Sequence, residues 1–144
     1  MGERPLPIAI LGAGFAGIGT AIRLRQAGIE SFTIFERADE IGGTWRDNTY
    51  PGCQCDVASN MYSYSFAPNP GWSRDYAWQG EILDYIKDCT ERYGVRPHIR
   101  FEHEVHQARY DAAEQRWQIR TSRGGGRHRR LLDPGRAVDP AQGL

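Results

Sequence analysis

Apolar positions along this chain switch between two rhythms. Ile8-Ala9-Ile10-Leu11 is a continuous apolar run, the pattern of a strand buried on both faces. From Phe15 to Ala27, the residues Ile18, Ala21, Ile22 and Leu24 recur at helical spacing, and Gly28 suits the position that ends a helix. Ser31-Phe32-Thr33-Ile34-Phe35 returns to strand character. This order predicts two parallel strands joined by a crossover helix. Further along, Ile82, Ile86, Cys89 and Tyr93 share one stripe of a helix predicted over 81–93. Glu81 stands at its start, Lys87 and Arg92 in its C-terminal half, and Gly94 after its end. Ile99-Arg100-Phe101 predicts a short third parallel strand. Val105 to Tyr110 and Arg116 to Thr121, separated by residues 111–115, predict an antiparallel hairpin. The fold class expected is α/β: a three-layer unit with a small parallel sheet and a β-hairpin excursion.

The turn between the first strand and its helix carries the chemistry. Gly12-Ala13-Gly14-Phe15-Ala16-Gly17 has the GxGxxG spacing, and Glu36 ends the second strand 19 residues past Gly17. This is the Rossmann-like dinucleotide-binding layout. Gly12 allows the tight bend, Gly14 lets backbone approach a pyrophosphate, and Gly17 lets helix and strand pack closely. The helix start at Phe15, Ala16 and Gly17 aims unpaired N–H groups and a positive dipole end at phosphates. Glu36 can accept hydrogen bonds from both ribose hydroxyls and repels a 2′-phosphate. NAD or the adenosine half of FAD fits this motif; NADP does not.

Composition narrows the field. Basic and acidic residues balance at 18 each, which gives no electrostatic ground for a nucleic-acid or membrane partner. No stretch is long and apolar enough to span a bilayer. Three cysteines, two of them in Cys53-Gln54-Cys55, make no disulfide framework, and the four histidines lie elsewhere, so no metal site is expected. Free thiols in a cytoplasmic protein are the expectation.

Glu36 is followed by Arg37, then Ile41-Gly42-Gly43-Thr44-Trp45, then Asn48-Thr49-Tyr50-Pro51-Gly52-Cys53-Gln54-Cys55-Asp56. With these motifs in this order, the sequence resembles the flavin-dependent monooxygenases, most closely the Baeyer–Villiger type, from about Ile8 to Thr121. The resemblance implies an FAD-binding N-terminal part of an enzyme that takes electrons from NADPH and inserts oxygen next to a carbonyl or onto a soft heteroatom of a small-molecule substrate. It implies that Gly12, Gly14, Phe15, Ala16 and Gly17 hold the FAD pyrophosphate region and that Glu36 binds the adenosine ribose with Arg37 beside it. Gly43, Thr44 and Trp45 would wrap the ribityl and ring side. Asp56 would sit near the flavin ring as the catalytic carboxylate that positions an arginine, Tyr62 would approach the ring, and Val105 would contact adenine through its backbone. Gln54 and Cys53 depart from the family's usual residues, which leaves the substrate class open. The residues alone also fit plainer roles. Trp45 could be a core aromatic, Asp56 a turn cap, and Tyr62 one of three alternating strand residues with Tyr64 and Phe66.

The chain changes character near residue 122. Residues 123–144 hold five arginines against two aspartates and no aromatic residue, and Gly124-Gly125-Gly126 opens them. The expectation is an FAD-binding domain over 1–122, incomplete, and an Arg/Gly/Pro-rich tail over 123–144 that is disordered or frame-shifted. One codon choice for residues 133–141, read one base later, spells an apolar strand and a turn. The 144 residues hold one GxGxxG, so the NADPH site of the resembled family is not expected among them, and NADPH-dependent oxygenation by this chain alone is not expected either. The competing readings are an NAD-dependent dehydrogenase fragment and a non-catalytic nucleotide-binding remnant.

Overall fold

A computed structural model describes residues 8–128 and 130–132. Strand β1 (Ile8–Leu11) leads through the glycine turn into helix α1 (Phe15–Gln26), followed by β2 (Phe32–Phe35). A four-residue helix α2 (Thr44–Asp47) and the longer α3 (Gln79–Arg92) come next. A short 3-10 turn (Arg96–His98) leads into β3 (Ile99–Arg100). The strands β4 (Val105–Asp111), β5 (Arg116–Thr121), β6 (Gly124–His128) and β7 (Arg130–Leu132) complete the described chain.

The strands form two sheets. One is parallel with the order β3-β2-β1-β7, and the other is antiparallel with the order β4-β5-β6. Alternation along β1 explains the layering. Ile10 packs with Ile18 and Ile22 of α1, Ile34 of β2, and Ile82 and Ile86 of α3 on one face. Ala9 packs with Phe35, Leu131 and the antiparallel sheet's Ala108, Trp117 and Ile119 on the other. The central sheet is therefore covered on both sides, as parallel sheets require. Each fully buried isoleucine contributes about 1.5–3 kcal/mol of transfer free energy, which makes the β1–α1–β2 unit the stable platform for the glycine turn.

The strand and helix pattern of the sequence is realised with ends shifted by one or two residues. Gly28 and Gly94 follow α1 and α3 at φ +76° and +63°, in the left-handed conformation that ends helices. Two expectations need correcting. Tyr62, Tyr64 and Phe66 lie in an irregular segment of bends and turns rather than a strand, and their rings pack on Phe15, Tyr85 and Tyr93. Residues 124–128 and 130–132 are strands, not an irregular tail, so the folded unit passes the boundary expected at 122. The glycine run misled because it reads as a turn. In the structure it lies against β5, and an added Cβ on Gly125 would stand 2.8 Å from the Ile119 carbonyl oxygen. Residues 133–144, where the rest of the expected tail lies, fall outside the described residues.

Candidate functional site

Gly12 and Gly17 are required by local geometry, one for the bend and one for the close approach of helix to turn. Gly12 has φ +84°, and no atom lies within 4 Å of an added Cβ, so its backbone conformation rather than its packing demands glycine. A Cβ on Gly17 would stand 1.9 Å from the Gly12 carbonyl oxygen. Gly14 precedes α1 in extended conformation with no side-chain cap. The first intrahelical bond runs from Ile18 N–H to the Gly14 carbonyl, so the N–H groups of Phe15, Ala16 and Gly17 have no partner within the helix.

Two cavities flank this turn. Both are lined by Leu11, Gly12, Gly14, Gly43 and Thr44, so they meet at the paired glycines. The larger, of about 490 Å³, extends toward Glu36, Arg37, Arg46, Asp47, His103 and Val105. The smaller, of about 370 Å³, extends toward Phe15, Ala16, Gly17, Trp45 and Tyr62. The groove is thus charged at one end, bare backbone in the middle and aromatic at the other.

At the charged end Glu36 is only 4% exposed. Its Oε2 accepts the Ala13 N–H (2.8 Å), and its Oε1 accepts the Ala38 N–H (2.9 Å) and Arg46 Nη1 (3.3 Å). The carboxylate therefore ties the glycine turn to the tip of β2 while lining the cavity. Arg46 also donates from Nη1 to the Glu40 carbonyl (2.6 Å), and from Nε and Nη2 to the two Asp47 oxygens (2.8 and 3.1 Å). Arg37 approaches Asp47 at 3.5 Å. Hydrogen bonds from Arg46, and the charges of Arg46 and Arg37, outweigh burial and hold the Asp47 carboxyl below the usual range. The bond to Asp47 and the neighbouring Glu36 hold the Arg46 guanidinium above its usual value.

At the aromatic end Trp45 Nε1 donates to the Tyr62 hydroxyl at 3.0 Å, and the two rings meet edge to face at 5.6 Å. Gln79 Nε2 donates to the Trp45 carbonyl. Trp45 belongs to the hydrophobic core and also lines the cavity. Burial pushes the Tyr62 phenol up, and the nearby charge of Asp56 adds to it.

The structure brings Gly12, Gly14, Phe15, Ala16, Gly17, Glu36, Arg37, Gly43, Thr44, Trp45, Tyr62 and Val105 to one groove. It does not bring Asp56 there: that residue is exposed and lines neither cavity. Arg46, Asp47 and His103 were missed by the sequence reading. The signal for the first two was their place directly after Gly43-Thr44-Trp45, on the short helix that this motif starts. His103 had no sequence signal. All three cysteines are free and buried, and among the described residues no group of His, Cys, Asp and Glu could hold a metal ion. No helix among the described residues is long and apolar enough to cross a membrane.

Residues 10–79 match the family described as NAD(P)-binding Rossmann-like domain. A Baeyer-Villiger monooxygenase of Streptomyces coelicolor is 50% identical over 117 residues, 81% of this chain and 22% of that protein. An FAD-binding monooxygenase of Aspergillus niger is 40% identical over 116 residues, 80% of this chain and 19% of that protein. Among solved structures, oxidized steroid monooxygenase bound to NADP superposes with a TM-score of 0.84 at 39% identity, covering 90% of this chain and 26% of that one. The chain spans about a fifth of the length of these curated relatives. By sequence and by fold, the chain is homologous to the N-terminal portion of the Baeyer-Villiger and FAD-binding monooxygenases.

Proposed function

We propose that this chain is an FAD-binding unit of a flavin-dependent monooxygenase that takes its electrons from NADPH and oxygenates a small-molecule ketone or heteroatom compound. The observation that carries this reading is the groove itself, charged at Glu36, bare at the glycines and aromatic at Trp45 and Tyr62. That sequence of surfaces matches a ribose, a pyrophosphate and a flat ring system in order. Gly12, which has open space where a Cβ would point, leaves room for a phosphate against the backbone.

In this reading Glu36 accepts hydrogen bonds from the adenosine ribose, with Arg37 beside it and the Val105 backbone near the adenine. The N–H groups of Phe15, Ala16 and Gly17 donate to the pyrophosphate. Gly43 and Thr44 pass close to the ribityl chain, and Trp45, held by Tyr62 and Gln79, covers one side of the ring. Bound FAD supplies the redox chemistry; the residues here bind it, orient it and exclude water from one side. The glycine fingerprint at Gly12, Gly14 and Gly17 is the site for one dinucleotide. Three buried free thiols fit a reducing compartment such as the cytoplasm.

The test is titration of the purified chain with FAD, followed by flavin absorbance and tryptophan quenching. One FAD per chain is expected, with competition by 5′-ADP. Glu36→Gln should weaken binding about ten- to hundredfold, the worth of hydrogen bonds to a charged group. Saturable binding of NAD with none of FAD would overturn the flavin reading in favour of a dehydrogenase.

A further inference from the structure

The charged end of the groove poses a question that Glu36 alone does not answer. An acid at the tip of the second strand suits a free ribose, whereas an arginine beside it accommodates a 2′-phosphate. Here both are present. Arg37 follows Glu36 directly, and Arg46 lies against Glu36 at 3.3 Å, so two guanidiniums line the cavity where a 2′-phosphate would sit. Two cations in that place would attract a phosphate dianion rather than repel it.

Asp47 removes that attraction. It takes the Arg46 fork bidentately, at 2.8 and 3.1 Å, and draws Arg37 to 3.5 Å. Its own place is fixed, because its N–H donates to the Gly43 carbonyl at 2.9 Å in the single turn of α2. The four side chains Glu36, Arg37, Arg46 and Asp47 then carry no net charge. Without Asp47 they carry one positive charge, and Arg37 loses the one ion pair it makes among the described residues.

We propose that Asp47 is the specificity-determining residue that makes this site reject 2′-phosphorylated adenine nucleotides, by neutralising Arg37 and Arg46 together. The proposal rests on the reading of this end of the groove as the adenosine site. Glu36 repels a 2′-phosphate directly; Asp47 withholds the two cations that would otherwise compensate for it.

The experiment compares 5′-ADP with 2′,5′-ADP by calorimetric titration at low salt, using the 144-residue chain and its Asp47→Ala and Asp47→Asn variants. Asp47→Asn keeps the shape of the side chain and serves if the alanine variant does not fold. The wild-type chain should prefer 5′-ADP. Loss of the carboxylate should shift the preference about tenfold toward 2′,5′-ADP, the scale of one charge acting on a dianion at a few ångströms in a wet site. Adding Arg37→Ala to the Asp47 variant should reverse much of that shift, and 1 M salt should shrink it. An unchanged preference in both Asp47 variants, with 5′-ADP still bound, would overturn the role of Asp47 alone. Failure of the wild-type chain to bind 5′-ADP would overturn the adenosine reading, and this proposal with it.

Discussion

Gly17→Ala tests the physical core of the site with one methyl group. The new Cβ would stand 1.9 Å from the Gly12 carbonyl oxygen and 3.0 Å from its carbon. A carbon–oxygen contact is comfortable at about 3.3 Å, so turn and helix must part by roughly 1.4 Å. Neither can move freely. Ile18, Ala21 and Ile22 hold α1 in the core at 0% exposure, and the Gly12 N–H is fixed to the Phe35 carbonyl at 2.9 Å. Overpacking of this kind costs about 1–3 kcal/mol. At about 4 °C per kcal/mol for a chain of this size, the melting temperature should fall by about 4–12 °C. FAD affinity should fall as well on the proposed reading, in which the N–H groups at the start of the displaced helix donate to the pyrophosphate. Gly80→Ala is the control. Gly80 is exposed in the first turn of α3 with no atom near an added Cβ, so the change should stabilise by about 0.5 kcal/mol and leave FAD binding alone. A Gly17→Ala chain that melts and binds FAD like the wild type would refute the claim that this contact demands glycine.

Two further substitutions probe the supports of the site. Tyr62→Phe removes the acceptor of the Trp45 indole N–H while keeping the ring against Phe15 at 4.8 Å. It should cost about 1 kcal/mol in urea unfolding at an unchanged m-value, and unchanged stability would show that the bond does not hold Trp45. Glu40→Gln addresses pH. Burial raises the Glu40 carboxyl, but bonds from the Ile41 N–H and Arg96, with the charges of Arg96 and Lys87, outweigh it and leave the value lowered. A lowered folded value stabilises the fold above the unfolded value, about 4.3, and that contribution disappears as pH falls through the folded one. The wild-type chain should therefore be the more stable at pH 7, with the difference closing below about pH 4; a constant difference across that range would contradict the assignment.

The parallel core was legible because its signals are local. The Ile8–Leu11 run, the helical spacing of Ile18, Ala21 and Ile22, and the glycine turn each specify one element without reference to distant chain. Glu36 was legible as the acid at the tip of the second strand, but its bond to the Ala13 N–H was not, since that contact depends on how strand and turn meet in space. The Arg46–Asp47 pair was hidden for the same reason. Adjacent residues on a four-residue helix carry no periodic signal, and their further charge partners, Glu36 and Arg37, come only with the approach of the tip of β2. Gly124 to His128 defeated local reading because a strand joins its neighbour through backbone hydrogen bonds, which glycine makes without any side-chain pattern. Leu131 and Leu132 are too few to announce a strand, yet they close the sheet against β1.

That closure sets an order of events during synthesis. Strand β1 pairs with β2 only a few tens of residues later, but its other edge waits for β7, with Ile8 opposite Arg130. At a translation rate of about 5–20 residues per second, that edge stays open for roughly 6–25 s while the intervening chain is made. During this interval the open edge of β1, with Ala9 and Leu11 on the face not yet covered, is a template for pairing with other nascent chains. A ribosome stalled before residue 130 should therefore hold a chain more prone to aggregation or chaperone capture than one stalled well after it.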